Sequence, residues 1–430
     1  MSTHVCLPVI VKLLAGGDVL VLKKLSAKKK TLVFSLSFTI LLLSFSSWAD
    51  QKDHHGKSDP HPKAKNIIFM VADGMGFAHV TAARIFKNGP DGKSLHLESL
   101  PTIGYQRTHS ASDSLTDSAA AASAWASGEK FNNGEISCHD DDQNGRCEPA
   151  PGPTILEIAK AKGKVTGLVV TSTVTHATPA AFGSHVPSRR CEKEIARQYI
   201  QVTEVDVILG GGRKKFKSIE KQADKCGTFG DFIADAARKG YQVVYTKKAL
   251  DGVVAKGSRK ILGLFTPKGK TPELFRLYPE ERYQAEEPTL PQMTAAALES
   301  VEKDADGFFL LVEGSQIDWA SHRNDVAYQI GEVLAFDEAV KVVLDWINEK
   351  PNRRQNTLVI ISADHETGGF AISGARGRKY KRGDIVDHVW TSKGHTAGDV
   401  VIWSQGPGSQ YLGRAVDNTD LYKVMLKVLK

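Results

Sequence analysis

The sequence has little net charge once its N-terminal segment is set aside. Its 430 residues include 56 Lys and Arg against 49 Asp and Glu, a formal charge of +7. Residues 1–49 hold six of the lysines and a single acid, Asp18, so the rest of the chain carries a formal +2. A chain this close to neutral lacks the basic surface on which nucleic-acid binding depends, and we expect no nucleic-acid partner.

Long hydrophobic runs and repeats are also scarce. Beyond residue 49 we find no second apolar stretch that approaches the roughly 20 residues of a bilayer span. We find no internal repeat either. These absences favour one large domain with loop insertions.

Cysteine is sparse, with five residues in the whole chain. Cys6 lies in the N-terminal segment, which leaves Cys138, Cys147, Cys191 and Cys226. An even number in an exported chain suggests two disulfides, and sequence alone allows three pairings. Local pairing, Cys138 with Cys147 and Cys191 with Cys226, is the simplest. Buried free thiols are the alternative, which an oxidising compartment disfavours.

Residues 1–49 have the features of a leader with a signal peptide. A positive segment from Lys23 to Lys30 precedes an apolar run from Leu32 to Phe45, and Ser47-Trp-Ala49 is a small-x-small cleavage site. The apolar run is short for a membrane anchor, which is the alternative. We therefore predict cleavage, a periplasmic or secreted protein and no stable membrane anchor. Residues 50–64 are polar and typical of a flexible linker, so the folded domain is predicted at 65–430.

Strand-like apolar runs alternate with helix-like segments from Asn66 onward. Strands are predicted at 67–72, 165–171, 205–209, 308–312 and 358–362, and helices at 119–125, 155–162 and 330–347. Alternating strands and helices indicate a largely parallel sheet that is covered on both faces. The expected fold class is α/β, a three-layer α/β/α sandwich with a central, mostly parallel sheet.

Acidic and imidazole side chains follow several of the predicted strands. Asp73 follows the first strand, Glu313 the run at 308–312, and Asp364 and His365 the run at 358–362. Open α/β folds build their sites at the carboxyl ends of the strands. Carboxylate and imidazole suit zinc, and Glu313 suits a harder ion such as Mg²⁺. The pattern favours a multi-metal hydrolase.

Two further pairs could complete such a site. Asp318 and His322 are four residues apart, so they share one helix face and could hold one metal, although an exposed helical pair is common. Ser118 follows Asp117 and opens an Ala-rich helix, where the helix N-terminus favours an anion and suits a serine that attacks phosphorus. An ordinary N-cap is the alternative for that pair. His395, in a loop flanked by glycines, says little alone.

Other polar residues have weaker sequence support. Arg189 could supply a planar fork for two phosphate oxygens, but Arg190 beside it could do the same, and spacing cannot choose. Thr178 could offer a hydroxyl group to a hard metal. A surface loop is the alternative for each of these residues.

Residues 140–145 match the first half of a calcium-binding loop, with Asp140, Asp142 and Asn144 at alternate positions before Gly145. The twelfth position of such a loop would be Pro151 rather than Glu, so the motif is incomplete. A polar turn between two cysteines is the favoured interpretation.

Taken together and in order, these residues resemble the alkaline phosphatase family from about Asn66 to the C-terminus. A chance match to every motif in this order is negligible. The motifs that carry the resemblance are Val71-Ala-Asp73-Gly-Met-Gly76, Thr116-Asp-Ser118-Ala-Ala, Ala177-Thr-Pro-Ala-Ala, Val312-Glu-Gly-Ser-Gln-Ile-Asp318 and Ser362-Ala-Asp364-His365.

The resemblance implies hydrolysis of phosphate monoesters with a phosphoserine intermediate on Ser118. Arg189 would clamp the phosphate, and Asp117 would orient that arginine. It also implies two Zn²⁺ and one Mg²⁺ per chain. The implied ligands are Asp318, His322 and His395 for one zinc; Asp73, Asp364 and His365 for the second; and Asp73, Thr178 and Glu313 for magnesium.

Three features of this chain qualify the resemblance. His176 and Trp319 occupy positions near the metals where some bacterial members have Asp and Lys. We expect His176 to alter the metal preference of the third site, and Trp319 to weaken phosphate binding by removing a cation. A homodimer is the default in the family, but the segment between His365 and His395, which can carry an insertion used in dimer contacts, is short here.

The alternatives are a phosphodiesterase or sulfatase of the same superfamily and a non-catalytic periplasmic phosphate-binding protein. Sulfatases need x-Pro-x-Arg after the modified residue, whereas Ser118 is followed by four alanines. Phosphodiesterase relatives generally lack the third-metal ligands, but Thr178 and Glu313 are both present. A binding protein would lack the nucleophile or a metal ligand, and we find none missing.

Overall fold

The computed structural model describes residues 62–140, 142, 144–148, 151–217, 225–273, 286–374 and 376–429. The predicted leader and most of the predicted linker lie outside these residues. The residues that are described all belong to one compact unit. Among their helices, none combines the length and the apolar character needed to cross a membrane.

The strands are numbered in chain order. They are β1 (Asn66–Ala72), β2 (Thr102–Arg107), β3 (Val165–Thr173), β4 (Val207–Gly211), β5 (Gln242–Val244), β6 (Ile261–Leu264), β7 (Phe308–Gly314), β8 (Thr357–Ser362), β9 (Glu366–Thr367), β10 (Phe370–Ile372), β11 (His388–Trp390), β12 (His395–Thr396), β13 (Val400–Gln405) and β14 (Ala415–Asp417).

The α-helices are numbered in the same way. They are α1 (Phe77–Asn88), α2 (Ser118–Ser127), α3 (Ile155–Ala161), α4 (Ala177–Gly183), α5 (Glu192–Gln201), α6 (Phe232–Arg238), α7 (Lys247–Ala255), α8 (Leu290–Val301), α9 (Gln316–His322), α10 (Val326–Asn348), α11 (Pro351–Asn356) and α12 (Asn418–Val428).

Ten of these strands form one sheet in the order β14-β2-β13-β8-β1-β7-β3-β4-β6-β5. Neighbouring strands are parallel except at β13, which runs antiparallel to both β2 and β8. Two small two-stranded sheets, β10 with β11 and β9 with β12, lie in the segment that follows β8. The prediction of a mostly parallel sheet is confirmed.

The sheet is covered on both faces, as its apolar central strands require. Every residue of β1 is buried. Its alternate side chains enter two different cores, with Phe69 in one and Met70 in the other. Trp125 of α2 packs in the first core and Phe336 of α10 in the second. These layers make the three-layer α/β/α sandwich that the sequence predicted.

The predicted elements are present, with small differences at their ends. The strand predicted at 205–209 runs two residues later, from Val207 to Gly211, and the side chain of Asp206 just before it binds Thr166 and Lys160. The helix predicted at 330–347 begins earlier, at Val326, where Asp325 caps it. Cysteines pair locally as predicted, Cys138 with Cys147 and Cys191 with Cys226.

Candidate active site

Three carboxylates lie where the central strands end. β1 lies between β7 and β8, and its Val71 pairs with Glu313 on one side and with Ser362 on the other. Asp73 and Asp364 therefore leave the sheet at the same edge as Glu313, and all three side chains are fully buried. We call this the carboxyl edge, defined by the ends of β1, β7 and β8.

A glycine turn allows the next ligand to approach this edge. Gly74 has a φ of +77°, and a Cβ there would be 2.7 Å from the Cα of Asp318. Its backbone N–H donates to Oδ1 of Asp364 at 3.0 Å. Glycine is therefore needed both for the left-handed backbone and for the space that α9 occupies. This brings Asp318, in the first turn of α9, against the strand ends.

Two histidines converge on Asp318. Its Oδ1 lies 3.3 Å from Nε2 of His322 and 3.6 Å from Nε2 of His395. β12 carries His395 to this place by pairing with β9, where His395 lies opposite Thr367. The Thr367 hydroxyl donates to the same carboxylate oxygen at 2.6 Å.

The backbone orients both of these imidazole rings. Nδ1 of His395 lies 2.7 Å from the carbonyl oxygen of Thr116, and Nδ1 of His322 lies 2.5 Å from that of Lys393. A carbonyl partner fixes a proton on Nδ1 and turns Nε2 of each ring toward Asp318. The hydrogen bond to Asp318 raises the pKa of His322 to about 9, so this ring also carries a proton on Nε2, which a bound metal would displace.

The predicted ligands gather into three groups whose ligand atoms lie within 4.8 Å of one another. The second group is the set predicted for the second zinc. In the first, His365 accompanies Asp318 and His395, while His322 approaches Asp318 separately. The third shares two members with the predicted magnesium set and adds His176. The groups are Asp318, His365 and His395; Asp73, Asp364 and His365; and Asp73, His176 and Glu313.

Several buried oxygens in these groups have no hydrogen-bond partner among the described residues. They are both carboxylate oxygens of Asp73, Oε1 of Glu313 and Oδ2 of Asp364, and the hydroxyl of Thr178, from the predicted magnesium set, has no partner either. A buried polar atom without a partner costs free energy, so such atoms call for another ligand. Oxygen and imidazole donors in this number suit divalent cations, and these residues therefore fit the metals that the family implies.

The pKa values of two acids of the site are shifted by their surroundings. Burial, then the charges of Asp364 and Asp318, raise the pKa of Asp73 well above its usual range. Burial raises the pKa of Glu313 to about 7. The protein alone therefore favours protonated forms of these two acids, and a cation would replace those protons.

Ser118 lies at the N-terminus of α2, as predicted. Asp117 caps this helix by accepting from the backbone N–H of Ala120 at 3.0 Å, and it also accepts from Gly134 at 3.1 Å. The Ser118 side chain is nearly buried, and its Oγ lies 3.4 Å from Nε2 of His365. The N-cap function is thus real, but it belongs to Asp117 and leaves the Ser118 hydroxyl beside His365, one of the predicted metal ligands.

Arg189, rather than Arg190, reaches the site. Its Nη1 donates to Oδ2 of Asp117 at 2.8 Å, and its Nη2 lies 3.3 Å from Nε2 of His176. Arg190 is exposed, and its backbone N–H is directed at the Ser188 hydroxyl. Burial and the nearby Arg189 lower the pKa of His176 to about 4, so this imidazole is neutral and can accept a cation.

Thr367 and Ser315 belong to the site, but sequence reasoning missed them. Thr367 binds Asp318 and lies 3.2 Å from Nδ1 of His365. The Ser315 hydroxyl donates to Oε2 of Glu313 at 2.8 Å. Both follow a predicted ligand by two residues. That spacing was the available signal, since hydroxyl groups next to ligating carboxylates commonly orient them.

The segment predicted to resemble half a calcium loop is a hydrogen-bonded turn in its described part. Asp140 accepts from the backbone of Gly145, and Asn144 accepts from Arg146 at 2.8 Å. The Cys138–Cys147 disulfide closes this turn, in agreement with the favoured interpretation. Asp141 and Gln143 lie outside the described residues.

The fold and this cluster of carboxylates, imidazoles and a serine are those of a metal-dependent hydrolase. The chain belongs to the alkaline phosphatase family, whose model matches residues 64–383. It is 30% identical to alkaline phosphatase 3 of Bacillus subtilis, over 95% of this chain and 98% of that protein. It is 33% identical to the alkaline phosphatase of Escherichia coli K12, over 85% of this chain and 86% of that protein.

A solved structure agrees with this assignment. The alkaline phosphatase of the Antarctic bacterium TAB5 is similar with a TM-score of 0.71 at 28% identity, covering 86% of this chain and 98% of that chain. A variant of that protein, in which a His is replaced by Asp, has Mg bound in its M3 site. The resemblance drawn from the motifs is thus confirmed, and with it a phosphatase-type hydrolase that depends on metal and acts on phosphate esters.

Proposed function

We propose that this protein is an alkaline phosphatase that hydrolyses phosphate monoesters through a phosphoserine intermediate on Ser118 and releases inorganic phosphate. The observation that carries the proposal is the position of Ser118. Its hydroxyl faces His365 and the clustered carboxylates, at the start of a helix, beside the Arg189–Asp117 pair. The residues that we propose as nucleophile, phosphate clamp and cation ligands therefore lie close together, which supports the proposal.

Two Zn²⁺ and one Mg²⁺ per chain are the proposed cofactors. Zinc would bind to Asp318, His322 and His395, and to Asp73, Asp364 and His365, while magnesium would bind to Asp73, Thr178 and Glu313. When bound, these ions would lower the pKa of the serine hydroxyl and of water and stabilise the charge of the leaving oxygen. The Mg-bound variant of the TAB5 enzyme supports a magnesium-binding third site in a relative.

His176 distinguishes the third group in this chain. One of its ring nitrogens lies within 4.8 Å of carboxylate oxygens of Asp73 and Glu313, and burial keeps its imidazole neutral. An imidazole ligand suits zinc better than magnesium. We therefore infer that the third site of this protein accepts zinc more readily than a site with only oxygen ligands.

The residues of the chain would carry the reaction in two steps. Ser118 Oγ attacks phosphorus, and the bond from phosphorus to the leaving alcohol oxygen breaks. Water then attacks the phosphoserine and restores Ser118. Arg189 would donate two parallel N–H groups to the phosphate oxygens, and Asp117 holds the guanidinium in place for that contact.

We also propose an exported homodimer without a stable membrane anchor. Two disulfides support export, because disulfides persist in oxidising compartments. The periplasm or the exterior of the cell is the proposed location. Phosphate monoesters of many kinds are the proposed substrates, because the contacts identified here would hold the phosphate group rather than the leaving group.

The test is hydrolysis of p-nitrophenyl phosphate and bis-p-nitrophenyl phosphate at alkaline pH by the purified protein. We expect strong monoester turnover that chelator abolishes and that Zn²⁺ with Mg²⁺ restores. Ser118→Ala should lower kcat at least about a thousandfold, as removal of a nucleophile does. Ser127→Ala is the matched control, because Ser127 lies in the same helix and donates only to the Ser123 carbonyl.

Each alternative function predicts a different result. A preference for the diester would identify a phosphodiesterase. Absence of turnover together with stoichiometric binding of phosphate would identify a binding protein. Full activity of Ser118→Ala would refute the phosphoserine mechanism while leaving a metal-dependent hydrolase.

A further inference from the structure

Gly269 lies directly against the indole ring of Trp319 at the border of the candidate site. A Cβ built on Gly269 would be 2.5 Å from Cη2 and 2.8 Å from Cζ3 of that ring. The backbone of Gly269 is outside the left-handed region, so its φ does not require glycine. What excludes a larger residue at this position is therefore the indole itself.

The indole also lies beside His176, which contacts the arginine that would bind phosphate. The rings of Trp319 and His176 are nearly perpendicular, with centroids 6.1 Å apart. His176 Nε2 in turn lies 3.3 Å from Nη2 of Arg189, whose Nη1 holds Asp117. A displacement of Trp319 away from Gly269 would thus be transmitted through packed side chains to the guanidinium.

The loop that carries Gly269 cannot retreat from the indole. The backbone N–H of Lys270 donates to the carbonyl of Thr171 at 2.9 Å. The buried Gln316 amide donates to that same carbonyl and to the carbonyl of Lys270, at 2.9 and 2.8 Å. Gln316 begins α9, the helix that contains Trp319, and its own oxygen accepts from the hydroxyl of Tyr328.

These bonds fix the loop relative to the helix that carries the indole. An added methyl group at Gly269 must therefore be accommodated by the side chain of Trp319, which is half-buried and lies beside the ring of His176.

We propose that Gly269 is a positioning residue that sets the pose of Trp319 and, through His176, that of Arg189, and that it thereby tunes the affinity for the phosphate group. This inference rests on the proposed function of Arg189 as the phosphate clamp. Gly269 itself touches no predicted ligand and no reacting atom.

The test compares Gly269→Ala with Gly252→Ala in the metal-loaded full-length mature protein. Gly252 lies in α7, has an ordinary φ and has open space around its Cα, so it controls for the change of residue type. We expect Gly269→Ala to raise KM for p-nitrophenyl phosphate and Ki for inorganic phosphate together, by about tenfold, with kcat within about twofold. Gly252→Ala should match the unmodified protein.

A second comparison separates positioning from a general loss of structure. In a Trp319→Ala background the atoms that the new methyl group would meet are gone, so Gly269→Ala should have no further effect on Ki. An equal effect of Gly269→Ala with and without the indole would overturn the proposal, as would an unchanged Ki in the single variant. If Gly269→Ala alone does not fold, recovery of folding in the Trp319→Ala background supports the contact, and failure there overturns it.

Failure of the proposed function would give a different result from failure of this inference. If the unmodified protein hydrolyses no monoester, the function is wrong, and calorimetric binding of inorganic phosphate then replaces Ki as the readout. If the unmodified protein is active and phosphate affinity does not depend on Gly269, only the positioning inference is wrong.

Discussion

The two edges of the central sheet differ in whether their buried charged side chains have partners within the protein. At the amino edge, where β3 and β8 begin, each buried cation is bound by the protein itself. Lys164 donates to two carbonyl oxygens, those of Lys65 and Asp306, and Arg353 binds the Trp346 carbonyl as well as two glutamates. At the carboxyl edge, the buried oxygens of Asp73 and Glu313 include three without any hydrogen-bond partner among the described residues.

This difference shows at which edge the protein itself supplies partners for the buried charged groups. The amino edge satisfies its charges internally, so we expect it to contribute stability and nothing to the chemistry. The carboxyl edge brings several acids together and leaves their oxygens without partners, which destabilises the metal-free folded chain unless these acids are protonated or bind cations. Proteins commonly depart from good local packing rules at functional sites and offset that cost elsewhere.

The comparison is tested most strongly by Asp73→Asn. Asp73 belongs to two of the three ligand groups, so loss of its charge should lower kcat/KM about a thousandfold and reduce the bound metal. The stability of the metal-free protein should stay the same or rise, because a source of repulsion is removed. Steady-state kinetics, metal analysis and thermal melts with chelator measure these three quantities.

The mirror-image control for that variant is Asp206→Asn at the amino edge. Asp206 binds Lys160 at 3.1 and 3.0 Å and accepts from Thr166, so its variant should lose stability and keep kcat/KM. If Asp206→Asn impairs turnover as strongly as Asp73→Asn does, the division between the two edges is wrong.

Removal of metal should lower the stability of the folded protein by an amount that grows with pH. The folded-state pKa of Glu313, about 7, lies above its ordinary value of 4.5, and that of Asp73 is also raised. Raised acid pKa values favour the folded state below the ordinary value, and this contribution is lost as pH rises through the folded value. The contribution of these two acids to the stability of the chelated protein should therefore fall between about pH 4.5 and 7, while in the loaded protein it should not. His176, with its pKa lowered to about 4, contributes in the opposite direction up to its ordinary value of 6.5.

Thermal melts at pH 5.5 and pH 8, with and without chelator, measure this effect. Metal at a hundredfold excess over its Kd adds about 2.7 kcal/mol to the stability of the folded protein. We expect the difference in stability between the loaded and the chelated protein to exceed that figure at pH 8 and to be smaller at pH 5.5. An equal difference in stability at both pH values would mean that the clustered carboxylates do not destabilise the metal-free protein.

The smallest expected effect belongs to Arg353→Leu at the amino edge. Arg353 is buried, binds Glu302, Glu349 and the Trp346 carbonyl, and lies over the Trp346 ring at 4.5 Å. Its loss should cost about 2 kcal/mol in the free energy of unfolding, with kcat/KM within about twofold. Denaturant titration measures the first quantity, and exposed Arg354→Leu is the matched control that should change neither.

Much of the carboxyl edge was predictable from sequence because the end of a strand can be recognised from the end of an apolar run. Asp73, Glu313 and Asp364 each follow an unbroken apolar run, and the parallel arrangement brings such ends to one edge. Ser118 and Asp117 were less accessible, because a polar pair that opens an Ala-rich helix is also an ordinary N-cap, and Asp117 does cap this helix. The central layers follow from the same apolar runs.

His395 shows where reasoning from the residues alone ends. It lies in a strand of two residues, and what places it near Asp318 is pairing with Thr367 and a contact with the Thr116 carbonyl, 279 positions away. No local pattern encodes such contacts, and only the family resemblance indicated this residue. The antiparallel β13 was missed for a related reason, because strand direction depends on the path of the intervening chain.

The central position of β1 affects when the chain can fold during its synthesis. β1 is the first strand of the sheet to leave the ribosome, yet its neighbours are β7 and β8, and Asn66 bonds to Thr357 across 291 positions. Contacts so distant in sequence form late, because a long loop must close before they contribute any stability. A nascent chain that lacks both neighbours of its central strand cannot complete its core early. Late completion of the core is compatible with the export that we propose.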